Sequence, residues 1–378
     1  MFFGPVELLV RTFVDGDYER VAEIGAAIDP LYSSTPETLR RANALVEPRV
    51  RRFQLVAEVD GAGVVGWGCV SHIWWVYHPR RYFLCLDVDP DWQRRGIGST
   101  LFDALLHELR SWGPELIRSA TLASRAESVG FLEQRGFREW RRRWESVLDV
   151  ATADLTALLV AEERAATQGL RFTNYGVERA QRGDRLARDV YDLEMAIFRT
   201  EFAAHGDVKP MSFDRFLAIS LDTPDVLHEA HFLALDDERV VGLSRLTRDL
   251  NHAHVIRQAF TGTHPEYRGR GIAQALKLRT VEFARKNGYR EIHTTNDSTN
   301  APMLHINELI GFRKETPEII FERRLDGERL AASPLCAAPR GETISHAPAV
   351  ARGPTTMARS QIPVGRPEQT EFFRPPRG

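Results

Sequence analysis

The chain has 378 residues, which allows two or three domains at about 100 to 200 residues per domain. Its 43% hydrophobic and 27% charged content is typical of a soluble folded protein and excludes wholesale disorder. Lys and Arg total 50 and Asp and Glu total 52, a net charge of −2, so no global field directs the chain to nucleic acid or to an anionic membrane.

Three cysteines in so long a chain cannot form a disulfide framework, and none has neighbours at the spacing of zinc ligands. We therefore expect no metal and a reducing, cytoplasmic location. The first twenty residues lack the basic start of a secretory signal, and no apolar run reaches about eighteen residues. We expect no membrane partner.

The apolar pattern of the first half predicts a mixed order of strands and helices. A long helix is expected from residue 97, because Ile97, Leu101, Leu105 and Leu109 recur every four residues on one face. The predicted strands cover 51–60, 64–75, 81–88, 115–122 and 137–150, with a second helix before Gly136.

The second half repeats this order. Strands are predicted over 231–247 as a hairpin, then over 254–263, 291–296 and 318–325, and helices over 271–288 and 301–310. Five residue pairs keep a constant offset of 175: Pro90 and Pro265, Gly96 and Gly271, Gly113 and Gly288, Gly136 and Gly311, Phe137 and Phe312. The chain is therefore interpreted as a tandem duplication.

A strand–helix–strand order within a mostly antiparallel run predicts the α/β class. We expect two tandem domains, each a mixed, mostly antiparallel, twisted sheet flanked by helices. Their predicted bounds are 1–150 and 169–330, joined by a linking helix over 151–168. Residues 331–378 are rich in proline and poor in large aliphatic side chains, which predicts a disordered tail.

The chemistry is indicated by two glycine-containing loops, 93–98 and 268–273, each between a strand and a long helix. The first N–H groups of a helix have no internal partner and attract an anion. Glycine lets a phosphate approach the backbone, and arginines add matching donors. The loops therefore predict pyrophosphate cradles. Neither has the Gly-Lys-Ser/Thr end of a P-loop or the third glycine of a dinucleotide-binding fold.

The pattern Gln/Arg-x-x-Gly-x-Gly/Ala, followed about forty residues later by Gly-Phe, resembles the GNAT superfamily of acetyl-CoA-dependent N-acetyltransferases. The resemblance covers roughly residues 5 to 325 and both halves. The second half is the fuller match, since it also contains Thr295-Asn296, Asn300, Met303 and Asn307.

The resemblance implies acetyl-CoA as cofactor, with its pyrophosphate on the loop amides. The residues that would bind it there are Gln93, Arg94, Arg95, Gly96, Ile97, Gly98, Ser99, Arg268, Gly269, Arg270, Gly271, Ile272, Ala273 and Gln274. It further implies that a bulged strand end, splayed from the next strand, holds the pantetheine arm and thioester through Leu86 and Val88 or through Thr261 and Thr263.

Asn296 and Asn300 either cap the following helix or also contact the cofactor. The resemblance makes Asn307 and the backbone of Thr263 the catalytic candidates. Many superfamily members place a proton-donating tyrosine four residues before the final Gly-Phe, where this chain has Leu132 and Asn307. Neither side chain can supply that proton.

These features imply transfer of an acetyl group to a primary amine of a small molecule or peptide, by direct attack in a ternary complex. The second half is the expected catalytic half because its asparagine-rich stretch is intact. The alternative is a non-catalytic acyl-CoA-binding or sensing protein. The first half is expected to bind CoA as well.

The amine-activating base is left unassigned among five candidates: Asp87, Asp89, Glu229, His231 and His264. Trp74 and Trp75, near several basic residues, suggest base stacking on nucleic acid, but packing is the favoured interpretation because Lys and Arg are not enriched around them.

Overall fold

The computed structural model of the protein describes residues 8–30, 34–73, 77–202 and 209–325, except for the side chains of 201 and 202. The predicted tail, 331–378, and the pair Trp74 and Trp75 lie outside these residues. The first repeat comprises the elements β1 to β6, and the second comprises β7 to β13 after the intervening helix α5.

The strands are short and numerous. They are β1 Leu8–Thr12, β2 Arg52–Val59, β3 Gly63–His72, β4 Arg81–Val88, β5 Leu116–Leu122, β6 Arg138–Asp149, β7 Arg171–Asn174, β8 Val226–Asp236, β9 Arg239–Arg248, β10 Val255–Thr263, β11 Glu291–Asp297, β12 Arg313–Lys314 and β13 Glu318–Arg324.

The helices flank the strands in both repeats. They are α1 Tyr18–Ile28, α2 Pro36–Ala44, α3 Ile97–Arg110, α4 Ala126–Glu133, α5 Thr156–Ala166, α6 Tyr175–Arg182, α7 Arg185–Phe202, α8 Phe213–Phe216, α9 Ile272–Lys286 and α10 Ala301–Ile310. A π-helical turn, Leu217–Leu221, follows α8.

One continuous sheet runs through both repeats in the order β1-β2-β3-β4-β5-β13-β6-β11-β10-β9-β8-β7, with β12 paired to β6. The neighbours pair antiparallel except β4 with β5 and β10 with β11, which are parallel. The predicted mixed, mostly antiparallel α/β fold with two repeats is confirmed. The bounds predicted for the two domains stay predictions.

The last strands of the two repeats are exchanged. Strand β13 of the second repeat pairs with β5 of the first, and β6 of the first pairs with β11 of the second. Phe321 of β13 is 1% exposed and belongs to the apolar core of the first repeat. Each sheet half is therefore completed by the other repeat.

Each repeat packs its long helix, α3 or α9, on one face of the sheet, which we call the long-helix face. A Cβ atom on Gly68 would lie 2.6 Å from Leu105 of α3, and one on Gly242 would lie 2.5 Å from Ile272 of α9. Glycine is needed at both positions because the helix approaches the strand so closely. The opposite face packs against α1 in the first repeat and α7 in the second.

The predicted linking helix is present as α5, within 151–168. It packs along α9, where Leu158 and Ala165 are fully buried. Among the described residues, no helix has the length and apolar character needed to cross a bilayer.

Candidate functional site

The two glycine-containing loops have the same backbone path. Each follows a 3-10 turn, Pro90–Trp92 or Pro265–Tyr267, and leads into a helix whose N-cap glycine is left-handed. The φ angle is +84° at Gly96 and +82° at Gly271. No side chain of the described residues caps α3 or α9, so the first amide groups of these helices are available to an anion.

Access differs between the loops. No atom in the described part of the chain lies within 4 Å of a Cβ built on Gly96, whereas one on Gly271 would lie 2.9 Å from the carbonyl oxygen of Ala161 in α5. Gln168, just after α5, also donates a hydrogen bond to the carbonyl oxygen of Arg270. The backbone at Gly96 is therefore open on this side, while the backbone at Gly271 is in contact with α5.

The predicted arginines surround the loops on the surface. Arg95 lies 4.5 Å from the ring centroid of Trp92, and Arg270 lies 4.6 Å from that of Tyr267. Arg94 forms an exposed ion pair with Glu127. Each guanidinium is accessible to a phosphate, because such exposed contacts cost little to rearrange.

One further arginine near the first loop was missed by the sequence reasoning. Arg135 donates to the hydroxyl of Ser99 at 2.8 Å and lies 3.5 Å from the ring centroid of Phe131. It adds a positive charge to the start of α3. The 175-residue offset places Ile310 at the equivalent position, so a comparison of the repeats could not reveal it.

Both repeats contain the expected separation of strands. Strand β4 pairs with β5 only over Arg81–Phe83, and β10 pairs with β11 only over Val255–Arg257. Leu86 and Val88, like Thr261 and Thr263, lie beyond these pairs. The expected strand bulge occurs between Gln258 and Phe260 in β10, whereas β4 pairs regularly with β3.

Two groups on the separated parts of β4 and β10 already form hydrogen bonds to side chains. The amide of Gln93 donates to the carbonyl oxygen of Val88 at 3.0 Å, and the hydroxyls of Thr261 and Ser244 are 2.8 Å apart. The buried hydroxyl of Thr263 has no hydrogen-bond partner among the described residues. An orphaned polar atom beside a strand gap fits a site for a polar ligand group.

The asparagines of the second repeat form a connected pair and a cap. The Nδ2 atom of Asn307 donates to Oδ1 of Asn296 at 2.6 Å, and Asn307 is 2% exposed. Its own Oδ1 atom is buried without a partner in the described part of the chain. Asn300 caps α10 by accepting a hydrogen bond from the amide of Met303.

Four base candidates are poorly placed for proton transfer. Glu229 is exposed, and His231 is fully buried, so desolvation lowers its pKa well below the usual value. His264 accepts a hydrogen bond from the amide of Glu266 and lies 3.0 Å from Arg239. Asp89 occupies the equivalent position in the first repeat and caps its turn in the same way.

Asp87 and Cys85 lie on the separated part of β4, with side chains on the opposite face. Solvent reaches Cys85, yet the surrounding protein desolvates both groups. Burial raises the pKa of Asp87 to about 6; the nearby Arg125 opposes this shift and Asp29 adds to it. Burial also raises the pKa of the Cys85 thiol, which keeps it protonated.

A model of the acetyltransferase (GNAT) family matches residues 19–137 and 187–312, so the chain belongs to this family. None of the curated protein sequences compared with it matches significantly. Among the described residues, no group of three or more His, Cys, Asp or Glu side chains could hold a metal ion.

Solved structures resemble most of the chain, across both repeats. A tandem GNAT protein from the clavulanic acid biosynthesis pathway is 17% identical, with a TM-score of 0.62 over 84% of this chain and 98% of that one. A GCN5-related N-acetyltransferase from Sphaerobacter thermophilus is 17% identical, with a TM-score of 0.58 over 84% and 95%. At this identity the likeness shows the shared fold.

GNAT proteins are acyltransferases whose acyl donor is generally acetyl-CoA. The chain therefore has the fold, the two loops and the separated strands of an acyltransferase family. The loop residues named from the sequence are brought together in each repeat, at the start of its long helix.

Proposed function

We propose that the protein transfers an acetyl group from acetyl-CoA to a primary amine by direct attack in a ternary complex, and that it does so in the cytoplasm. The observation that carries the proposal is the uncapped, left-handed start of α3 beside the separated end of β4. This arrangement offers amide donors to a pyrophosphate and a free strand edge to pantetheine.

In this proposal the first loop, Arg94 to Ser99, holds the pyrophosphate, and Arg135 adds charge beside it. The bound cofactor supplies an acetyl group activated as a thioester. The backbone of Leu86 and Val88 orients the pantetheine arm and the acyl carbonyl where β5 leaves β4 unpaired. A backbone N–H aimed at such a carbonyl stabilises developing negative charge by roughly 2.7 to 4 kcal/mol.

Direct attack is supported by the state of the one nucleophilic side chain on this part of β4. Because its raised pKa keeps Cys85 as a neutral thiol, it is a poor nucleophile for an acyl-enzyme route. The acceptor is a small molecule or peptide that presents a primary amine.

The alternative function is non-catalytic acyl-CoA binding or sensing. The observation that favours it is the absence of a proton donor at Leu132 and Asn307, of which Leu132 is buried in the first apolar core. The sulfur of CoA is a tolerable leaving group, so transfer does not require such a donor.

The decisive experiment incubates the purified chain with acetyl-CoA and a panel of amines, including polyamines, amino acids and peptides, while free thiol is followed. Amine-dependent thiol release, with a matching acetylated product by mass spectrometry, supports acetyl transfer. Binding of acetyl-CoA without release for any amine supports the alternative.

A further inference from the structure

In the first repeat, solvent reaches the opposite face of β4 at Cys85, beside the part of the sheet that packs against α1. Gly66 and Gly68 of β3 face α3, so Trp67 and Cys69 face the other way. Their register partners on β4 are Asp87 and Cys85. Because Cys85 is exposed, an acceptor can reach β4 from this side, next to the strand edge proposed to hold the thioester.

The same face is filled in the second repeat. Gly262 lies 175 residues after Asp87, and a Cβ atom there would lie 2.6 Å from Cδ1 of Ile197 in α7 and 2.8 Å from Cε1 of Phe260. The neighbouring Arg245 forms an ion pair with Glu194 of α7, and both are less than 10% exposed. Among the described residues, α7 therefore packs directly on β10 at the position equivalent to Asp87.

The groups around Asp87 suit a proton acceptor. The ion pair between Asp29, at the end of α1, and Arg125, at the start of α4, lies near its carboxyl group, and Cys85 is the nearest titratable group on its own strand. Trp67 of β3, its register partner, is uncharged. A carboxyl group that ionises near pH 6 is closer to the operating pH than an ordinary aspartate.

We infer that acyl transfer takes place in the first repeat, on the opposite face of β4, and that Asp87 takes the proton of the attacking amine. This inference rests on the proposed acetyl transfer and reverses the expectation that the second repeat is the catalytic half. The amine nitrogen bonds to the acyl carbon and the carbon–sulfur bond breaks. The bonding electrons leave with the sulfur, which takes a proton from solvent, and Asp87 takes the proton lost by nitrogen.

The experiment compares the full chain with Asp87→Asn in the thiol-release assay between pH 5 and pH 9, using an amine that the wild type acetylates. For the wild type, kcat/KM should rise through about pH 6, as Asp87 ionises. Asp87→Asn should lower kcat/KM by about 10² to 10⁴-fold and remove this rise. Its CoA affinity, measured by calorimetry, should equal that of the wild type.

Asp89→Asn is the matched control, because Asp89 lies two residues away, where its carboxylate caps a turn and pairs with Arg20. It should keep the wild-type pH profile. Gly98→Glu, which places a carboxylate at the start of α3, should abolish both CoA binding by the first loop and turnover.

Two results overturn the inference while the proposed function stands. One is a wild-type rate and pH profile in Asp87→Asn. The other is turnover that persists in Gly98→Glu but is lost in Ala273→Glu. A wild-type chain that binds acetyl-CoA and releases no thiol with any amine instead overturns the proposed function itself, and the inference with it.

Discussion

Arg143 of β6 and Glu318 of β13 form an ion pair, and they are the same position of the two repeats. Their numbers differ by 175, the repeat offset, and they face each other in register. Glu318 also pairs with Leu122 of β5, as Arg143 pairs with the equivalent Asp297 of β11. The strand exchange is therefore symmetric about this pair.

The exchange predicts that damage to β13 destabilises the first repeat. Phe321→Ala should lower the free energy of unfolding by about 3 to 5 kcal/mol, because it opens a cavity in the first core. Ile320→Ala is the control, since Ile320 is only half-buried. Urea unfolding followed by tryptophan fluorescence measures both. Equal losses for the two variants would contradict the role given to Phe321.

The two N-cap glycines, Gly96 and Gly271, predict different losses of stability when each is replaced by alanine. Gly96→Ala should cost about 1 to 2 kcal/mol, because an L-residue is strained at its left-handed φ. Gly271→Ala should cost more, since its Cβ atom would also lie 2.9 Å from the carbonyl oxygen of Ala161. Thermal unfolding compares the two variants. An equal fall in melting temperature would show that α5 moves away from the new Cβ atom at no cost and would contradict the expected difference.

The burial of Lys277 predicts that the free energy of unfolding depends on pH. Lys277 is 2% exposed, and burial lowers its pKa from 10.5 to about 7. The unfolded chain binds this proton up to about pH 10.5 and the folded chain only up to about pH 7. The free energy of unfolding should therefore rise with pH between these values, by about 1.4 kcal/mol per pH unit. Below pH 7 the loss of stability caused by burying Lys277 should be at its full size.

Lys277→Met should remove this pH dependence and raise stability most below pH 7. The first repeat supports an apolar side chain at this position, because its residue equivalent to Lys277 is the buried Phe102. Urea unfolding of the wild type and Lys277→Met at pH 6, 8 and 10 is the measurement. Parallel stability curves for the two proteins would refute the assignment.

The buried ion pair between Glu194 of α7 and Arg245 of β9 predicts that substitutions at the two residues have non-additive effects on stability. Burial raises the pKa of Glu194, and Arg245, 2.9 Å away, opposes this shift. Arg245→Met should cost about 3 to 5 kcal/mol, because it leaves a buried carboxylate unpaired. The double variant with Glu194→Leu should recover most of that loss in a double-mutant cycle. Additive losses would exclude the coupling.

Much of the local structure was predictable from the sequence. The period of apolar residues located α9 and β4, and α10 occupies 301–310 as expected. The paired glycine motifs located both loops, because left-handed glycines at helix starts are a local requirement. His264 and Asn300 were ambiguous in sequence, and the structure shows both as caps.

The strand exchange was not predictable, because the apolar face of β13 is equally suited to the edge of β5 or of β11. The contact of α5 with Gly271 and the filling of the opposite face by Ile197 also depend on residues distant in sequence. Asp87 was an undecided candidate for the same reason: its pKa is set by burial and by Arg125 and Asp29 rather than by its neighbours in the chain.

Calorimetric titration of CoA into the full chain tests the central claim most directly. Two uncapped helix starts predict saturable heat with two CoA per chain, falling to one in Gly98→Glu and to one in Ala273→Glu. The absence of any heat in the wild type would contradict the assignment of both loops.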